Sequence, residues 1–189
     1  MARVLLFHKP RGLIVSLRDE RGRRTVYDAL PAWVVAQGLR AIGRLDQDSR
    51  GLLLLTDDGK LAERISRPGA HEKTYEVWVR GRVTPAHRDQ LLGGVKTALG
   101  VMRASAVELR GGAGPKSRLQ VTLREGKNRQ VRRMLGALLD PQRGTPLKVL
   151  ELKRVALGPL QLDVASGQWR ELSPAEIAML DPRKSTEEE

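Results

Sequence analysis

The apolar residues of this chain fall in short runs, each closed by proline, glycine or clustered charge, and that punctuation most limits the fold. Residues 3–7 predict a strand ended by the turn His8-Lys9-Pro10-Arg11-Gly12, and 13–16 resume an extended run. Residues 18–24 are a polar, charged loop. Thr25 is placed to cap a short helix through Ala29, which Pro31 would end. Residues 38–42 lead to a polar turn, 52–56 form a buried strand, and 60–66 carry Leu61 and Ile65 at helical spacing before Pro68. Residues 74–79 alternate in strand period, with Tyr75, Val77 and Val79 on one face. Thr84-Pro85 starts a helix that Gly93-Gly94 ends. Residues 104–109 and 119–123 predict two strands joined by a glycine-rich, mobile loop over 110–116. Asn128 would cap a helix to about Leu139, with Val131, Met134, Leu135, Leu138 and Leu139 as its apolar stripe. Strands over 149–152, 155–156 and 168–172 precede a capping box at Ser173-Pro174-Ala175-Glu176. Strands outnumber the helices and interrupt them without a βαβ rhythm. The expectation is an α+β fold with a mixed, largely antiparallel sheet flanked by short helices.

A length of 189 residues fits one domain, with room for two lobes and a sizeable core. With no cysteine there is no disulfide framework, thiol nucleophile or cysteine-ligated zinc. His8, His71 and His87 follow no metal-ligand spacing, so no metal is expected. The opening apolar run is too short for a signal-peptide core or a membrane span, which gives a cytoplasmic protein as the expectation. A net charge of +12 favours a polyanionic partner. The placement of that charge says more than its total, because arginine-rich composition is common in proteins from GC-rich genomes. Residues 103–133 hold nine basic residues against Glu108 and Glu125, whereas 181–189 hold two basic and four acidic ones. A basic track along a nucleic-acid backbone followed by an acidic, flexible C-terminal tail over 181–189 fits this pattern.

Residues 43–59, GRLDQDSRGLLLLTDDG, set Asp46 in the polar turn between two apolar runs, with Arg44 and Arg50 close by. Taken as bare spacing, such a string is more often a solvated turn with surface ion pairs. A loop of this kind can also hold an aspartate partly out of water while guanidinium groups keep it ionised, and so nucleophilic or basic. The longer string resembles the GRLDxxxxGLLLLTxDG signature of RNA pseudouridine synthases of the small-subunit-A type. Further segments match that family in the same order. Residues 3–12 resemble its NKPxG turn, with His8 where asparagine is usual. Residues 72–75 (EKTY) resemble its KTY motif, 125–134 (EGKNRQVRRM) its basic helix start, and 167–170 (GQWR) its closing GxxR. The match spans residues 3–172.

The resemblance implies the pseudouridine synthase fold, two lobes with the active site in the cleft between them, and a catalytic domain over residues 1–180. Relatives commonly carry an N-terminal S4 RNA-binding module. Here the motifs begin at residue 3, which resembles the subgroup designated E that acts on large-subunit ribosomal RNA. The implied reaction is isomerisation of a uridine in 23S ribosomal RNA to pseudouridine, with no redox cofactor. Asp46 matches the catalytic aspartate. Three routes are compatible with it: attack on the ribose carbon, attack on the base, or abstraction of a sugar proton to give a glycal. All need an ionised carboxylate. Arg132 matches the arginine paired with that aspartate, and Tyr75 the tyrosine lying against the target uracil, where stacking offsets part of the base-flipping cost. Lys127, Arg129 and Arg133 are candidate phosphate anchors, together with Lys73, Arg44 and Arg50. The implied partner is ribosomal RNA, and a monomer is the default.

Two other classes fit parts of the sequence. A non-catalytic ribosome-associated RNA-binding protein would use the basic track alone and tolerate Asp46→Asn. A metal-dependent nuclease would gather Mg²⁺ on Asp46, Asp48 and Asp57 and would shorten its RNA. Six aromatic residues are too few for a sheet paved with stacking side chains.

Overall fold

The structure is a computed structural model that describes residues 2–181. In chain order the elements are β1 (Val4–Lys9), a 3-10 turn (Tyr27–Ala29), α1 (Ala32–Ala36), β2 (Arg40–Ile42), β3 (Arg50–Thr56) and α2 (Gly59–Ser66). There follow β4 (Lys73–Arg80), α3 (Pro85–Gly93), β5 (Val95–Thr97), β6 (Gly100–Met102), β7 (Ala106–Ala113) and β8 (Lys116–Leu123). The chain continues through α4 (Gln130–Gly136), β9 (Lys148–Leu157), β10 (Leu160–Gln161), β11 (Trp169–Glu171) and α5 (Pro174–Leu180). It forms two compact units, one from residues 2–71 with 154–181 and one from Glu72–Lys153. The pattern is α+β, as expected. Among the described helices none is long and apolar enough to cross a membrane.

In the first unit β1 lies between β11 and β3, antiparallel to both, and β2 and β10 add to β3 and β9. Val4, Leu5, Leu6 and Phe7, like Leu52 to Leu55, are all buried, so both faces of these strands are covered. That explains unbroken leucine runs in an antiparallel sheet. Val4, Leu6, Leu52 and Leu54 pack with Leu61 and Ile65 of α2 and Leu180 of α5 into one core cluster. Gly51 is needed there. Its φ is +116°, and a Cβ would stand 2.2 Å from the carbonyl oxygen of Arg154.

In the second unit the order is β9, β4, β8, β7, with β4–β8 and β8–β7 antiparallel. Tyr75, Val77 and Val79 are buried opposite Val121, Leu119 and Ser117. β5 and β6 form a separate two-stranded ribbon. Strand β9 contributes residues 148–153 to this unit and 154–157 to the first.

Several boundaries differ from expectation. The stretch expected as a loop over 110–116 is mostly strand, because β7 and β8 keep pairing to Ala113 and Lys116 across a bulge between Leu109 and Gly112. The helix expected from Asn128 to about Leu139 is shorter. Its N-cap is Arg129 in a left-handed conformation (φ 50°), and Leu139 is exposed. Residues 149–152 and 155–156 are one strand, β9. Residues 13–16 make only a single bridge, from Ile14 to Thr25. Asp181, placed in the tail by sequence, is held by Arg64 through two hydrogen bonds of 2.9 and 3.0 Å. The rest of that tail, 182–189, lies outside the described residues.

Candidate active site

The Asp46 loop is fixed from beneath by Lys9, the last residue of β1, which is fully buried. Its ammonium donates to three backbone carbonyls: Ser49 O at 2.7 Å, Asp46 O at 3.1 Å and Pro10 O at 3.1 Å. Burial lowers the Lys9 ammonium to about 8, and the nearby charges of Asp48 and Asp46 pull the other way. A second tie links the loop to the turn after β1. Gly12 N donates to Gln47 O at 2.8 Å, and Gln47 Nε2 donates back to Gly12 O at 3.2 Å. Ser49 N closes the turn on Asp46 O at 3.0 Å. The KPxG segment therefore serves as the seat of the aspartate loop. Asp46, Asp48 and Arg50 are half-buried on it, and Arg44 is exposed. His8, beside Lys9, has Nδ1 2.9 Å from Val164 O. Asp58 caps α2 through Leu61 N, and Asp57 accepts from Arg3 N.

The remaining candidates belong to the second unit. β4 presents Tyr75 from its buried face, 9 % exposed, and half-buried Lys73 two residues before it. The Lys73 side chain runs past Gly126, its Cε 3.9 Å from where a Cβ on that glycine would stand. Gln130, nearly buried, organises the segment leading into α4: its Oε1 accepts from Lys127 N and its Nε2 donates to Arg103 O, both at 3.2 Å. Arg132 is half-buried and donates from NH1 to Val149 O on β9 at 3.3 Å. Arg133 folds back onto Asn128, donating to its backbone and side-chain oxygens at 3.0 and 3.1 Å. Arg129 is exposed, and Lys127 pairs with Glu125 at 2.9 Å.

The structure thus gathers Arg44, Asp46 and Arg50 in one unit, and Lys73, Tyr75, Lys127, Arg129, Arg132 and Arg133 in the other. The basic track is partly neutralised. Arg110 pairs with Glu108, Arg118 with Glu76, Arg124 with Glu72 and Lys127 with Glu125. Sequence reasoning missed Lys9 and Gln47 as parts of the site. The only hint was a lysine at the end of an otherwise apolar strand, next to a Pro-x-Gly turn.

The fold is that of pseudouridine synthases. A solved pseudouridylate synthase superposes with a TM-score of 0.79 at 30% identity, over 95% of this chain and 74% of that one. An H/ACA ribonucleoprotein bound to RNA shares the fold at 18% identity, with a TM-score of 0.60 over 85% of this chain and 49% of that one. The family model for RNA pseudouridylate synthases matches residues 3–137, and the chain belongs to that family. Similar curated proteins include ribosomal large subunit pseudouridine synthase B of Vibrio cholerae, 39% identical over 98% of this chain and 58% of the relative. The protein of that name from Escherichia coli K12 is 38% identical over 95% of this chain and 60% of its own length. The chain spans about three fifths of the length of these relatives.

Proposed function

We propose that this protein isomerises a specific uridine of large-subunit ribosomal RNA to pseudouridine, and that Asp46 is its catalytic carboxylate. The observation that carries the reading is the seat of Asp46. A family signature lies on a loop whose backbone is held by a buried ammonium at Asp46 and Ser49. A carboxylate so placed keeps one position through the reaction, and orientation of the reacting group supplies much of an enzyme's rate.

Tyr75 is assigned to the face of the flipped uracil and Arg132 to orienting the carboxylate. Arg44, Arg50, Lys73, Lys127, Arg129 and Arg133 are assigned to the RNA backbone. The catalytic domain is assigned to residues 1–180, and the protein to the cytoplasm as a monomer. The expected E subgroup gives way to the B subgroup, which relatives named synthase B at 38–39% identity support and which is the assignment adopted.

Tritium release from RNA labelled at C5 of uridine is the direct test. Asp46→Asn is nearly isosteric and removes only the ionised oxygen, so it should abolish release while RNA binding and folding persist. Substantial release by the folded variant would refute the role of Asp46.

A further inference from the structure

A cavity of about 410 Å³ opens in the second unit, lined by Arg82, Lys116, Arg118 and Arg143 with the glycine-rich tip of the β7–β8 hairpin. It lies past the end of β4, at Arg82, whereas Tyr75 is near that strand's start. Five residues separate Tyr75 from Arg80, about 17 Å at strand rise. The Arg82 end of the cavity is therefore remote from Tyr75, while Arg118, which lines it opposite Trp78, lies three residues along the strand from Tyr75.

Its one acid is already committed. Asp140 is 4 % exposed, and its carboxylate accepts from Gln142 N at 2.9 Å and Arg82 N at 3.3 Å. Those amides, with that of Arg143, hold it below the usual carboxylate range. Asp140 thereby fixes the backbones of Arg82 and Arg143 beside each other, and the Arg143 charge adds to what keeps it ionised. Ser117 Oγ completes the frame, donating to Gly81 O and accepting from Val83 N, both at 2.9 Å. Among the described residues Arg82, Lys116 and Arg143 make no ion pair, unlike Arg110, Arg124 and Lys127. Arg118 is shared between Glu76 and the face of Trp78, 5.7 Å from the ring centroid. Cations on an anchored frame around a concave space suit the phosphates of a polyanion.

We propose that this cavity is a second RNA-backbone site, which grips ribosomal RNA away from the uridine that reacts. The proposal rests on the reading of the substrate as RNA. Two phosphates held there would contribute about 1.4–1.8 to the slope of log affinity against log salt.

The test uses the full chain and a fluorescein-labelled transcript of large-subunit ribosomal RNA. Arg82→Glu combined with Arg143→Glu keeps the amides that hold Asp140. It should flatten the salt slope by about 1.5 or more and weaken binding about tenfold or more at 0.1 M salt. Arg82→Gln with Arg143→Gln serves if the double reversal fails to fold. An independent arm compares acetylation of Lys116 with that of exposed Lys60, with and without RNA. Bound transcript should shield Lys116 selectively. An unchanged slope and affinity, or equal labelling of Lys116 with and without RNA, would overturn the second site. Failure of the functional reading shows elsewhere, as no tritium release by the wild type from C5-labelled transcripts, and the two binding arms decide the cavity in either case.

Discussion

Replacing Lys9 by methionine removes the charge under the Asp46 loop and leaves most of the side-chain volume. The unfolded chain should keep its Lys9 proton to about 10.5, whereas the native protein releases it near 8. Between those values the unfolded state binds more protons, so native stability gains from rising pH. Below pH 8 the full penalty for burying the ammonium is present, and it is relieved on the way to pH 10.5. The shift corresponds to roughly 3 kcal/mol at 1.36 kcal/mol per pH unit. Urea unfolding of wild type and Lys9→Met, followed by tryptophan fluorescence from pH 7 to 10.5, reads this directly, since other titrating groups cancel in the difference. The wild type should gain stability relative to the variant across that window, by up to roughly 3 kcal/mol. A difference that stays flat would refute the argument that Lys9 is held as a buried cation.

Gly51→Ala should destabilise the first unit by about 3 kcal/mol or more, because a side chain there meets both a left-handed φ and the Arg154 backbone; calorimetry would show the lowered Tm. Glu176 is pulled down to about 2, chiefly by hydrogen bonds from Arg170, so its stabilisation is present above pH 4.5 and lost as pH falls toward 2. The Tm gap between wild type and Glu176→Gln should therefore close over that interval. Arg132→Lys keeps the charge but loses the planar fork, and should lower tritium release more than RNA affinity. A strong loss of affinity at unchanged turnover would reassign Arg132 to the RNA backbone.

Local signals were readable where the chemistry is local. Thr84 and Ser173 each accept the backbone hydrogen bond that a helix cap requires, as their spacing indicated. Pro31 ends the short helical turn at Ala29 as expected, but the helix α1 that opens directly after it was not legible, because a proline read as a stop also precedes a new helix. The glycines of 111–114 read as a loop because their lack of side chains hides the pairing that β8 imposes. Arg129 as an N-cap was unreadable, since a left-handed arginine is stabilised by its surroundings rather than by its own preference. Asp46 was found through its neighbours in sequence. The support from Lys9 was not, because its acceptors are main-chain carbonyls up to 40 residues away, and a carbonyl leaves no trace in residue identity.

The first unit is interrupted: its chain leaves at residue 71 and returns at 154. Strand β1, which carries Lys9, has β11 on one edge, and His8 exchanges hydrogen bonds with Gln168 and Gly167. On a ribosome those partners are made about 120 residues after the Asp46 turn, a delay of roughly 6–24 s at about 5–20 residues per second. By the end of that interval the second unit has been synthesised as one continuous segment, residues 72–153. The leucine-rich strands beneath the aspartate wait with an open edge, the period in which a nascent chain most needs a chaperone.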